Sequence, residues 1–200
     1  MSPRPRKVTD TQIFEAVRSV MNKVGPGDLT LAVIAKEAGI TAAVLVQRFG
    51  SKRALLLAFS EKYASEGESS YFAQLQKRFA SPLAALREYA RCFAEMAASP
   101  ASLARNLAYL QIDLTDEDFR KNLAKQARVQ DAGLRALVKA ALDAGELKPT
   151  AKPAVLARII NAALTGSIIT WAFYQERTAA QWMEADLEAV LLPYLRKRHN

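Results

Sequence analysis

Residues Leu29–Lys52 read LTLAVIAKEAGITAAVLVQRFGSK, and the order is helix, tight turn, helix. Thr30 stands where a threonine hydroxyl accepts from a free backbone N–H of a first helical turn. Leu31, Ile34, Ala35 and Ala38 then fall on one face at helical spacing. Gly39 follows, the residue best suited to the left-handed backbone that ends a helix. Thr41 is a second N-cap and opens Ala42 to Phe49. Ile40, Leu45 and Phe49 are the expected anchors into a small core. A short turn with Gly between two such helices is the pattern of a helix-turn-helix, whose second helix enters the DNA major groove. An ordinary hairpin of an all-α protein shares that pattern.

Three further features favour the DNA-reading alternative. Another amphipathic helix precedes the hairpin, about Asp10 to Val24, with Ile13, Phe14, Val17, Val20, Met21 and Val24 at helical spacing. Gly25-Pro26-Gly27 stops it. The extreme N-terminus is SPRPRK, in which Pro3 and Pro5 prevent a helix. Arg4, Arg6 and Lys7 can then lie along a groove or a phosphate rail, or form a solvated tail. Charge is also uneven. Residues 1–53 hold nine Lys/Arg against four Asp/Glu, so more than half of the formal +8 sits in a quarter of the chain. That is the electrostatic footprint of phosphate contact.

The segment resembles the DNA-binding domain of the TetR family of transcriptional regulators. The residues that carry the resemblance are Leu29-Thr30, Ile34-Ala35, Ala38-Gly39-Ile40-Thr41, Leu45, Phe49 and Ser51-Lys52, followed by Ala54-Leu55-Leu56. The phrase Asp113 to Arg120 is similar to the start of a long helix in many sensor domains of the family. Two positions depart from the pattern. Family members usually carry Tyr where this chain has Val46 and His where it has Arg48, and those side chains typically touch phosphate. Arg48 can replace His with a permanent charge. Val46 cannot hydrogen-bond, but can pack on a thymine methyl.

The second helix is poor in polar groups. Ala42, Ala43, Val44 and Val46 offer apolar contact and close approach. Gln47 is the best candidate for a base-edge hydrogen bond, such as adenine N6/N7. Thr41 and Arg48 can reach phosphate or a base. Lys52, by resemblance, meets phosphate, and Thr30 and Lys36 are weaker candidates for the same role. Each could instead be a solvated surface side chain. With so few polar groups, DNA shape and half-site spacing are expected to carry much of the specificity.

Length and composition bound the rest. Two hundred residues, half of them hydrophobic, suffice for a sizeable core. No run of about 18 apolar residues free of charge suggests a membrane span, and the start does not read as a signal peptide. A cytoplasmic protein is the expected placement. A single cysteine, Cys92, excludes an internal disulfide. It reads as a small packing residue, with a redox sensor as the alternative. The only histidine is His199, which leaves no His-based triad and no His/Cys zinc set. No GxGxxG or P-loop occurs. Asp113, Asp116, Glu117 and Asp118 cluster at a helix start, where carboxylates complement the dipole. No catalytic residues, metal site or cofactor are expected.

The remainder reads as helix almost throughout, for an all-α fold of about nine helices. The expected division is a helix-turn-helix domain with a basic arm at 1–51 and a helical ligand-binding and dimerisation domain at 52–200. Breakers divide the body into helices near 52–77, 82–98, 100–112, 116–144, 153–177 and 178–198. Tyr89, Phe93 and Met96 are candidate lining residues of a ligand pocket. So are Leu107, Tyr109, Leu110 and Gln111, then Leu123 and Gln126, and finally Asn161, Thr165 and Trp171. Such a mix suits a small, largely apolar inducer; an ordinary core has the same composition. The last two helices carry apolar residues on more than one face and so need a partner. The resemblance implies that they pair in a homodimer across a two-fold axis, which makes the operator close to palindromic. The expectation is a ligand-responsive, sequence-specific transcriptional regulator, a repressor released by its inducer. The alternative is a helical small-molecule carrier or interaction protein with an incidental hairpin.

Overall fold

The structure, a computed structural model, describes residues 8–196, and backbone alone at 65–70. Arg4, Arg6, Lys7 and His199 lie outside the described residues. The described chain is all-α. Its helices are α1 (Asp10–Met21), α2 (Leu31–Glu37), α3 (Ala42–Phe49), α4 (Lys52–Arg78), α5 (Pro82–Phe93), α6 (Pro100–Thr115), α7 (Glu117–Asp143), α8 (Pro153–Tyr174) and α9 (Ala179–Leu191). Two short 3₁₀ turns, Ala94–Ala97 and Leu192–Tyr194, follow α5 and α9. The described residues form two compact units, one of residues 8–63 and 105–123, the other of 64–104 and 124–196.

The first unit begins at a capping box. The Thr9 side chain accepts from the Gln12 amide, and the Gln12 side chain accepts from the Thr9 amide. Together they satisfy donors that the first turn of α1 leaves open. Thr30 caps α2 by accepting from the Val33 amide at 3.2 Å. Gly39 ends α2 at φ +68°, and the Ile40 amide turns back to the Ala35 carbonyl at 2.9 Å. That closure needs a residue that tolerates a left-handed backbone. The apolar faces of α1, α2 and α3 meet in one core of Ile13, Phe14, Val17, Val20, Leu29, Ile34, Ala35, Leu45 and Leu55, joined by Tyr109. Ile40 and Phe49 pack against it, half-buried. Burying each of the large aliphatic side chains stabilises the unit by roughly 1.5–3 kcal/mol.

The second unit is centred on α5, α8 and α9. Leu86, Leu134, Leu137, Leu156, Ile160, Leu164, Met183 and Leu187 are buried together. Ser81 caps α5 at the Ala84 amide, and the Glu146 carboxylate accepts from the Leu83 amide at 2.9 Å. The residues after α9 return to the loop after α7. The Lys148 amide donates to the Tyr194 carbonyl at 2.7 Å, and the Arg196 amide donates to the Glu146 carbonyl at 3.2 Å. Glu146 thus ties the segment after α9 to the start of α5.

Three helix ends fall short of the expected boundaries. The α-helical part of α5 stops at Phe93 and tightens to a 3₁₀ turn through Ala97. Helix α8 stops at Tyr174 because Gln175 and Arg177 take positive φ, 53° and 62°. The Trp171 indole N–H donates to the Arg177 carbonyl at 3.2 Å across that corner. Helix α9 stops at Leu191 rather than near Arg198. Pro193 has no N–H to continue it, and the chain turns off into the pairing with Glu146 and Lys148. By length and composition α8 could cross a membrane. It nevertheless carries Arg158, and its Leu156, Ala157, Ile160, Leu164, Ile168 and Trp171 face the unit's core. That is also the pattern of a core helix.

Candidate nucleic-acid interface

Leu45 is the one fully buried residue of α3, with Ala42 and Phe49 packed half-buried against the same core. Leu45 is 0% exposed, while its neighbours Val44 and Val46 are 38% and 47% exposed. Ala43, Gln47, Arg48 and Thr41 are exposed beside them, and Ala42 is half-buried. The helix therefore shows solvent a short face of small, β-branched and amide side chains. Side chains this small allow another surface to approach the helix closely, and the valine methyls can meet apolar groups such as a thymine methyl. Thr41 occupies the N-cap position as expected, but its hydroxyl makes no capping hydrogen bond.

The basic side chains divide into two groups. Lys36, at the end of α2, is exposed. Lys52 is turned inward at its tip, where its ammonium donates to the Leu29 carbonyl at 2.8 Å. Arg48 reaches back to the start of α1. Its Nη1 donates to the Val8 carbonyl at 2.6 Å and its Nε lies 2.7 Å from Asp10 Oδ1. Lys23 pairs with Glu37 at 2.7 Å. That bond, followed by one from Ser19, holds the Glu37 carboxyl below its ordinary range.

Residues 105–123 complete this unit, which sequence reasoning did not foresee. The Tyr109 hydroxyl donates to the Val24 carbonyl at 2.9 Å, and Arg105 Nη2 donates to the Asn22 carbonyl at 3.2 Å. Arg53 grips the start of α7 with Nε on Asp116 Oδ2 and Nη2 on Asp116 Oδ1 and Asp118 Oδ2, all within 2.9 Å. Asp116 also accepts from the Asp118 amide at 3.0 Å, so the expected cap is present. Bonds from Asp118, then Asp116, raise Arg53 above its ordinary value. At Asp116 desolvation pushes upward, but the bonds from Arg53 and the Asp118 amide outweigh it and keep the carboxyl low. The only sequence signal for this clamp was the acidic cluster itself.

Residues 13–59 match the tetR family of bacterial regulatory proteins. The match covers the helix-turn-helix segment and the first turns of α4. Solved TetR-type structures share the whole fold. A TetR transcription regulator from Haloarcula marismortui is 17% identical, with 94% of this chain and 98% of that one covered at TM-score 0.72. SmeT, the repressor of the Stenotrophomonas maltophilia multidrug efflux pump SmeDEF, is 19% identical, with 96% and 93% covered at 0.67. FadR from Bacillus subtilis, solved with stearoyl-CoA, is 17% identical, with 91% and 97% covered at 0.64. No curated protein sequence matches.

Beyond the matched segment, the lining candidates do not form one group. Tyr89, Phe93 and Asn161 come together in the second unit. Gln130, which sequence reasoning missed, donates both to the Tyr89 hydroxyl and, at 3.0 Å, to Asn161 Oδ1. The Phe93 ring lies 6.1 Å from that of Tyr89. Near them the Tyr71 hydroxyl is buried, and burial, followed by the Cys92 thiol beside it, pushes its pKa up. Trp171 is buried at the α8–α9 corner, Gln126 is half-buried, and Met96 and Thr165 are exposed. Leu107, Leu110, Gln111 and Leu123 fall in the first unit, the first three exposed and Leu123 half-buried. Tyr109 belongs to the first unit's core. Cys92 is half-buried. Among the described residues no group of His, Cys, Asp and Glu is arranged to hold a metal ion.

Proposed function

We propose that this chain is a ligand-responsive, sequence-specific DNA-binding transcriptional regulator, a repressor released by a small-molecule inducer. The observation that carries the reading is the outward face of α3, with Leu45 buried beneath exposed Val44, Val46 and Gln47. A rigid helix anchored on one side by Leu45 and Phe49 can enter a major groove without unfolding its own core. Gln47 reads a base edge. Ala42, Ala43 and Val46 make apolar contacts, and Thr30, Thr41, Lys52 and the arm residues Arg4, Arg6 and Lys7 meet the backbone. No step of this function needs a cofactor or catalysis.

A homodimer through α8 and α9 brings two copies of α3 to a near-palindromic operator. Val155, Ile159, Phe173, Tyr174 and Leu192 support this pairing, since all are exposed large apolar side chains on or beside those helices. The inducer is small and largely apolar, held in the helical domain of residues 52–200 by a few polar groups such as Asn161 and by Tyr89 and Phe93. The ligand shifts the population of DNA-competent dimers, which requires different affinities for the two states. The expected placement is the cytoplasm, with no membrane partner.

Selection from random duplex DNA with the purified full-length chain tests this reading. A near-palindromic consensus should emerge, with affinity falling steeply as salt rises. Indifference to duplexes of every sequence at low salt would instead favour a helical carrier. Release of the selected duplex by an apolar metabolite panel tests the inducer.

A further inference from the structure

Arg48 stands at the position where the exposed face of α3 meets the entry of the chain into α1. Its guanidinium makes two bonds there, one to the Val8 carbonyl at 2.6 Å and one to Asp10 Oδ1 at 2.7 Å. The partners lie 40 residues away in sequence for Val8. They are themselves well fixed, because the Thr9–Gln12 capping box sits between and beyond them. A guanidinium presents its N–H groups in a rigid fork. Two-point contact therefore sets the distance and rotation of α3 against α1 more firmly than an ammonium could. The pair with Asp10 is neutral, so little net charge is left to attract a phosphate.

We infer that Arg48 is a positioning residue. It clasps α3 to the start of α1 through Asp10 and Val8, and it keeps this clasp when the duplex is bound, so that it does not itself neutralise a phosphate. The inference rests on the proposed reading of the chain as a DNA-binding protein and deepens it.

The test is a charge-neutral double replacement, Arg48→Gln with Asp10→Asn, in the full-length chain. Binding to the selected duplex is measured across a series of salt concentrations, with Lys36→Gln as a comparison. A positioning role predicts an affinity about three- to tenfold lower at every salt, with the line of log K against log salt parallel to that of the parent. A phosphate donor predicts a slope shallower by about 0.9, with the two lines converging at high salt. That result overturns the inference, and so does a double variant indistinguishable from the parent in affinity. The free protein provides a second readout, independent of DNA. Asp10→Asn should change the melting temperature in the parent and change it less in an Arg48→Gln background. Equal changes in both backgrounds would mean that the clasp does not exist. A chain that binds no duplex fails the transcriptional reading, while the melting cycle still decides the clasp.

Discussion

Arg53 and Asp116 lie 63 positions apart in sequence and are joined by two hydrogen bonds, Nε to Oδ2 at 2.9 Å and Nη2 to Oδ1 at 2.8 Å. One partner opens α4 directly after the helix-turn-helix, and the other caps α7. Asp118 adds a third bond to the same guanidinium. Bidentate guanidinium–carboxylate geometry is the form in which an exposed pair has its best chance of mattering. Through it, residues 105–123 become part of the unit that carries α3.

The clamp should be visible in the acid stability of the protein. Asp116 has a folded pKa below its ordinary value. Its contribution is therefore fully present above the unfolded pKa and disappears as pH falls through the folded one. The window lies below about pH 4. Asp113 acts in the opposite sense, since burial raises its carboxyl, and its term favours folding at low pH. The informative measurement is hence a difference. Melting temperature against pH should fall less steeply below about pH 4 in Asp116→Asn than in the parent. Identical acid limbs would show that Arg53 and Asp116 are not coupled.

Leu45 and Val46 are neighbours with opposite expected roles. Leu45→Ala removes a fully buried anchor and should cost about 2–5 kcal/mol in denaturant unfolding. Val46→Ala should change stability by less than about 0.5 kcal/mol while weakening binding to the selected duplex. A Val46→Ala variant with parental affinity at every site would remove Val46 from the interface.

Gln47→Ala should act on sequence preference more than on overall attraction. Loss of one bidentate base contact costs about 1–3 kcal/mol at the base pair it reads, with the salt slope kept. Repeating the selection with the variant should relax one position in each half-site. An unchanged consensus would assign readout elsewhere.

Gly133 is a packing glycine. A Cβ there would lie 2.2 Å from Phe72 Cδ2 and 2.3 Å from Cγ, close to the root of the ring. Phe72 is buried and stacked on Tyr89 at 5.2 Å between centroids, so it cannot swing aside freely. Alanine gains about 1 kcal/mol of helix propensity, but overpacking costs about 1–3 kcal/mol. Gly133→Ala should lower the melting temperature by a few degrees. A rise would mean that Phe72 relocates at little cost.

Much of the fold was legible because helices are local objects. Thr30, Gly39, Ser81 and Thr178 act within three or four residues of themselves, and the periodic apolar positions of α1 to α3 point to one core whatever else the chain does. The boundaries slipped where a distant group intervened, as at the end of α9, where residues 194–196 pair with the loop after α7. The orientation of α3 was equally legible, because Leu45 and Phe49, with Ile40 before them, are its large apolar anchors and all three pack on the core.

The amino-acid order alone thus determined the helices, their caps and the placement of a helix-turn-helix near the N-terminus, since each depends on neighbours within about one turn. Only the tertiary structure decided what the long side chains do. Arg48 met Asp10, Lys52 met the Leu29 carbonyl, Arg53 met Asp116, and Tyr109 joined the N-terminal core. A flexible cation can pair with any carboxylate or carbonyl within its reach. Which one it finds is set by how distant helices are brought together, and no local pattern encodes that.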